Sequence, residues 1–172
     1  MRFKKFILLL LWFFGCEISS PYKWESGVSF QSLRNSSDGK IVLLDFETEW
    51  CGWCKKMDKN TFNDKSVINY ANSQFVSMKV DAEKGEGIEL AKKYNVSGYP
   101  TIVFTNADGI EIDRIVGYKE PLLYLHELKR IRSGKNTLPT LLTEFQTNPK
   151  KFGPGKNYWS GKIHVSEEFL RF

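Results

Sequence analysis

The chain has 172 residues, 41% of them hydrophobic, with 13 Phe, 7 Tyr and 5 Trp available for a core, which is room for one ordinary domain with extensions. Its formal charge of +5 is unevenly spread: residues 1–20 carry three basic and one acidic side chain, residues 133–172 six and three, and residues 21–132 sixteen of each. The central region is therefore neutral and lacks the clustered basic excess of a phosphate-binding surface, which argues against nucleic-acid binding.

At the N-terminus, Arg2, Lys4 and Lys5 precede an apolar run from Phe6 to Phe14. It is too short for a membrane span and has the length of a signal-peptide core, so export is expected. Gly15-Cys16 resembles the end of a bacterial lipoprotein signal, in which the cysteine is lipidated and becomes the first residue, although Phe13 and Phe14 replace the usual smaller residues. Plain cleavage after Ser19 or Ser20 is the other route, also poorly matched, with Glu17 or Ile18 where a small residue is expected. Lipidation is the expected route and would attach the protein to the membrane through Cys16. Either route leaves Cys51 and Cys54 as the remaining cysteine pair. The expected organisation is a signal segment over residues 1–20, a domain over 21–132 and a C-terminal extension of unassigned role over 133–172.

From Pro21 to Gly39 the pattern is weak, with Trp24, Val28, Phe30 and Leu33 suggesting a short helix and Ser36-Ser37-Asp38-Gly39 a turn. Ile41 to Phe46 reads as a strand buried on both faces, because its apolar residues are continuous rather than alternating. Asp45 is out of place in that run. A carboxylate there is costly to desolvate and should gain proton affinity, and it precedes Cys51 by six residues. It could accept and return the proton of Cys54; the alternative is a carboxylate that reaches water at the strand end. Glu47 shares its face.

The strand runs into Trp50-Cys51-Gly52-Trp53-Cys54-Lys55. Two cysteines three positions apart, where a buried strand gives way to a helix, are placed to make and break a disulfide with each other. The first lies at the helix N-terminus, where unpaired N–H groups and the dipole favour a thiolate, so Cys51 is the expected nucleophile and Cys54 the resolving thiol. Glu47 and Glu49 would raise the thiol pKa and Lys55 and Lys56 lower it. Zinc would require two more ligands, for which the chain offers only Cys16, His126 and His164, and no metal is expected. Haem attachment would need histidine where Lys55 stands. A fixed structural disulfide is a further alternative, though so short a loop gains little unfolded-state entropy.

The helix continues to Asn60 with Met57 as its core contact, Thr61-Phe62-Asn63-Asp64 interrupts it, and Ser66 to Asn72 forms a second piece with Val67, Ile68 and Tyr70. Phe75 to Val80 is a strand, Glu83 to Gly87 a loop, and Ile88 to Tyr94 a short helix. A strand-helix-strand order implies parallel pairing. Pro100, ahead of the apolar Ile102-Val103-Phe104, marks a strand start, an edge or a cis bond. Asn106-Ala107-Asp108-Gly109 is a hairpin turn, with a return strand from Ile110 to Val116 carrying apolar residues at 110, 112 and 115/116. Glu120-Pro121 opens a helix with Leu122, Leu125, Leu128 and Ile131 on its apolar face, His126 being a rim residue. In the extension, Thr137 to Phe145 suggests one more helix, and Gly153-Pro154-Gly155 with Tyr158-Trp159 a loop with aromatic anchors.

Taken together, Trp50 to Lys55, Asp45, Gly98-Tyr99-Pro100-Thr101 and the β-α-β-α-β-β-α order resemble the thioredoxin superfamily over about residues 24–132. Glu49 to Met57 followed by Thr61-Phe62 is similar to the exported thioredoxin-like domains, including the C-terminal domain of the bacterial disulfide-reductase transporter family. The resemblance implies an α/β thioredoxin fold, a central mixed sheet flanked by helices. It implies a thiol–disulfide oxidoreductase working outside the cytoplasm, periplasmic or membrane-anchored. Its cofactor requirement would be met by the Cys51–Cys54 pair alone. Partners would be protein thiols and disulfides and a redox partner protein. By the same resemblance Pro100 is a cis-proline facing the disulfide, the backbone of Tyr99 pairs with an extended substrate segment, and Trp50 forms part of an apolar contact surface. Trp53 departs from thioredoxin proper, which has proline there, and leaves the redox direction open between reductase, the expected direction, and oxidase or isomerase. A binding module with a fixed disulfide is the alternative outside enzymology.

Overall fold

The computed structural model describes residues 21–148. Cys16, the rest of residues 1–20, and the Gly153-Pro154-Gly155 and Tyr158-Trp159 features lie outside them. Four strands form one sheet in the order β2-β1-β3-β4: β1 Ile41–Glu47, β2 Phe75–Asp81, β3 Thr101–Thr105 and β4 Glu111–Val116. β1 pairs with β2 in parallel and with β3 antiparallel, and β3 and β4 form the antiparallel hairpin, so the sheet is mixed as expected. The parallel pair is joined by α2 Gly52–Asn60 and α3 Lys65–Gln74. Helices α1 Phe30–Asn35, α4 Glu86–Lys93, α5 Pro121–Arg132 and α6 Leu138–Thr147 complete the described chain.

The continuous apolar run of β1 is explained by its central place, because it is covered on both faces. Val42, Leu44 and Phe46 face Phe30 and Leu33 of α1 and Leu90, Ala91 and Tyr94 around α4. Leu43 faces the other way, into a core with Met57, Val67, Ile68, Tyr124 and Leu128 from α2, α3 and α5. Strand periodicity puts Asp45 on that second face, beneath α2. Gly87 allows α4 to close on β2, since a Cβ there would overlap the Asp81 carbonyl oxygen.

Two expected faces are corrected. In α5 the buried residues are Tyr124, Leu128 and Ile131, whereas Leu122 is 77% exposed. At 3.6 residues per turn Leu122 falls about 160° around the helix from Tyr124, so its three-residue spacing from Leu125 drifts off the buried stripe. At the return strand, β4 starts after Ile110, and Ile110 and Val116 are exposed, whereas Ile115 is buried and Ile112 packs against the core as expected, with Asp113 as a further buried position. A register shift beside Phe104 and Thr105 re-aims this edge strand, and the buried Asp113 carboxylate meets Arg130 of α5 at 2.7 Å. Arg130 also donates to the Lys135 and Asn136 carbonyls, tying the turn before α6 to α5. His126 is exposed, as expected.

Candidate redox site

The site is built at the end of β1 that feeds α2. Cys51 N–H donates to the Thr48 carbonyl at 3.1 Å, closing a tight turn after the strand. Cys51 is the N-cap of α2 in an extended conformation, and its Sγ accepts the Cys54 N–H at 3.0 Å. The sulfur thus takes one of the donors that a helix start leaves unpaired, the arrangement that favours negative charge on Cys51 once the pair is reduced. Cys51 and Cys54 are joined by a disulfide with Cα atoms 5.3 Å apart.

Both cysteines are only 4% exposed, yet the residue before each is among the most exposed large side chains: Trp50 at 67% and Trp53 at 59%. The Trp50 indole N–H donates to the Glu83 carboxylate at 2.9 Å and its ring meets Tyr99 edge-on at 5.9 Å. The Trp53 ring lies 5.8 Å from Tyr118, and the Lys56 ammonium sits over both rings at 5.2 and 4.4 Å. The Tyr99–Pro100 peptide bond is cis. It immediately precedes β3, whose Thr101 pairs with Phe46 of β1, so Tyr99 and Pro100 stand at the sheet end from which Cys51 emerges. The Pro100 carbonyl accepts the Gly117 N–H at 2.8 Å, which brings the loop carrying Tyr118 to the same end.

Beneath α2, Asp45 is 1% exposed, so the alternative of a carboxylate reaching water is set aside. Its Oδ2 accepts from Lys79 Nζ at 3.1 Å, while Oδ1 has no hydrogen-bond partner. The same ammonium contacts Glu47 at 2.6 Å and Asp58 of α2 at 2.7 Å. These three carboxylates, the one acidic cluster among the described residues close enough to share a cation, converge on Lys79. Burial pushes the Asp45 carboxyl up to about 7, against the pull of Lys79 and with a further push from Glu47. Burial alone would lower the Lys79 ammonium, but Asp45, Asp58 and Glu47 outweigh it and hold its pKa above the ordinary lysine value. Asp45 can therefore exchange a proton near neutral pH.

The structure brings Cys51, Cys54, Trp50, Trp53, Tyr99 and Pro100 to one end of the sheet, with Asp45 below. Lys79, Asp58, Glu83 and Tyr118 were missed as site residues. Lys79 enters through strand register, facing Asp45 directly across β1 and β2, and that register is not visible in the one-dimensional pattern.

Fold and site together define a thioredoxin-fold protein with a C-x-x-C disulfide, the class of the thiol–disulfide oxidoreductases. Residues 34–132 match the thioredoxin-like domain family, and the chain belongs to it. It is 36% identical over 102 residues to the thiol:disulfide interchange protein DsbD of Yersinia pestis, a match covering 58% of this chain and 17% of that protein. To the DsbD of Vibrio cholerae it is 42% identical over 96 residues, covering 54% of this chain and 16% of the relative. The chain thus spans about one sixth of the length of these relatives. Among solved structures, a proposed disulphide-isomerase from Bacteroides thetaiotaomicron superposes with a TM-score of 0.59 at 36% identity, covering 66% of this chain and 94% of that one. The DsbH oxidoreductase shares the fold with a TM-score of 0.56 at 24% identity over 67% of this chain and 87% of its own.

Proposed function

We propose that the chain is an extracytoplasmic thiol–disulfide oxidoreductase that reduces disulfides in partner proteins. The observation that carries this reading is a C-x-x-C disulfide at the start of α2, with a buried, proton-exchanging carboxylate below the same helix. In the reduced protein the Cys51 thiolate attacks a partner disulfide. The partner S–S bond breaks, a mixed disulfide forms on Cys51, and the departing partner sulfur takes a proton. Cys54 then loses its proton to Asp45 and attacks Cys51 Sγ, which breaks the mixed disulfide, closes the Cys51–Cys54 bond and releases the second partner sulfur as a thiolate, which takes up a proton as Asp45 returns its own to solvent. Two electrons and two protons pass to the partner. The recessed disulfide between Trp50 and Trp53, with the Tyr99 backbone at the same sheet end, suits an extended protein segment rather than a small thiol.

The extracytoplasmic setting rests on residues 1–20, which we read as a signal segment with Cys16 as the lipidation site; residues 21–132 are the redox domain and 133–172 an extension. The interchange activity in the DsbD relatives' names supports the exchange chemistry. The Bacteroides structure favours isomerase operation of the same cysteines as the second reading.

The test is insulin reduction with a dithiol donor. Cys51→Ser abolishes it, and Cys54→Ala accumulates mixed disulfides through Cys51, detected on non-reducing gels. Full activity in Cys51→Ser would sink the proposal. Mass spectrometry of membrane-extracted protein checks the N-terminus: acyl chains on Cys16 are expected, and a mature chain beginning beyond Cys16 contradicts lipidation.

A further inference from the structure

The surface around the disulfide is polar in one direction. On the Trp50 side, toward the β2 end of the strand order, the exposed Glu83 carboxylate holds the indole, and Lys84 is shared between Glu49 at 3.3 Å and Asp81 at 3.2 Å. That side carries excess negative charge. On the Trp53 side, toward β4 and the loop after it, α2 exposes Lys55, Lys56 and Lys59, while its one acidic residue, Asp58, is committed to Lys79. Lys56 forms no ion pair with any described carboxylate; its contacts are the rings of Trp53 and Tyr118. Tyr118 is in turn fixed from α2, its hydroxyl accepting from Asn60 at 3.3 Å, and Thr61 Oγ1 donates to the Lys119 carbonyl at 2.6 Å. A cation stacked over two aromatic rings is held in place and still has its outer face free for an anion.

We infer that Trp53, Lys56 and Tyr118 form a recognition subsite for a carboxylate side chain flanking the reactive cysteine of the partner protein, on one side of that cysteine only. The inference rests on the exchange reaction proposed above. A partner segment lying between the two tryptophans meets Lys56 at one end and Glu83 at the other. An acidic residue is therefore favoured toward α2 and disfavoured toward Trp50. The lysine ammonium acts as a point charge with short reach, so the preference belongs to one or two positions of the segment rather than to its net charge.

The experiment uses the full protein, reduced with dithiothreitol and desalted, and peptides whose single cysteine is held as a mixed disulfide with 2-mercaptoethanol. One series places Asp, Asn or Phe two positions before the cysteine and another places them two positions after it. Release of peptide thiol is followed at low and high salt. In one placement the Asp peptide is reduced about three- to fivefold faster than its Asn counterpart, as expected for one partly exposed ion pair. In the other placement it is no faster, and the gain shrinks at high salt. Lys56→Gln brings the Asp-to-Asn ratio to near one, Lys56→Glu inverts it, and Lys56→Arg restores it. Equal rates for Asp and Asn in both placements, a ratio unchanged by Lys56→Gln, or Phe outperforming Asp at the favoured placement overturns the inference while leaving the exchange reaction intact. Failure of the unaltered protein to reduce any of the peptides overturns the exchange reading itself.

Discussion

Asp45 is a carboxylate buried in the central strand beneath α2, held on one oxygen by the Lys79 ammonium. Its position inside an apolar run marks it in the one-dimensional pattern, and the structure gives it an unpartnered Oδ1 and a carboxyl raised from 3.8 to about 7. Because the folded protein holds this proton more tightly than the unfolded chain, its stabilising contribution is full below about pH 4 and is lost as pH rises through about 7. Asp45→Asn should therefore be more stable than the unaltered protein at pH 8, by up to about 4 kcal/mol in urea unfolding, and the advantage should vanish near pH 4. The same substitution removes the acceptor proposed for the Cys54 proton, and closure of the mixed disulfide should slow about a hundredfold at pH 7. An Asp45→Asn protein that is less stable at pH 8 and resolves at the normal rate would contradict both assignments. Lys79, Asp58 and Glu47 could not be grouped from sequence because three separate elements bring them together. Each looks like an ordinary surface charge until β1, β2 and α2 are in place.

At the scale of elements, hydrophobic pattern located nearly every helix and strand but not always its inner face. The central strand β1 was legible because burial on both sides leaves no polar alternation to misread. Helix α3 starts at Lys65, where Asp64 accepts from the Ser66 and Val67 N–H groups at 2.9 and 3.0 Å and so caps the helix that the pattern places from Ser66. The edge strand β4 and helix α5 were harder. Both carry large residues on two faces, and which face turns inward depends on the register shift and on Arg130 reaching Asp113. The α5 correction gives a direct contrast. Tyr124→Ala should cost about 3–5 kcal/mol in thermal or urea unfolding, because it empties a fully buried site among Tyr22, Phe62 and Leu128. Leu122→Ala should stay within about 0.5 kcal/mol. The reverse order of costs would mean that α5 is rotated from its described orientation.

For the whole molecule, the mixed sheet serves as a platform with chemistry at one end. The strand order places the Trp50 wall toward β2 and the Trp53–Tyr118 wall toward β4, and the cis Tyr99–Pro100 bond stands between them at the start of β3. The C-x-x-C signature, the buried aspartate and the proline ahead of β3 made the fold and the cysteine pair legible, since each is a local device with a local cause. The aromatic and charged surroundings were not, because they are assembled from loops that only the folded sheet brings together. We propose on these grounds a reversible dithiol, set at a helix start above a proton acceptor and offered to extended protein partners.

The reduction potential of the Cys51–Cys54 pair, measured by equilibration of the full protein with glutathione, tests that account most directly. A reductase is predicted to lie near the roughly −270 mV of thioredoxin. A value near about −120 mV would contradict the proposed direction, and a pair that glutathione buffers cannot reduce, with wild-type failing to reduce insulin, would contradict the redox role itself.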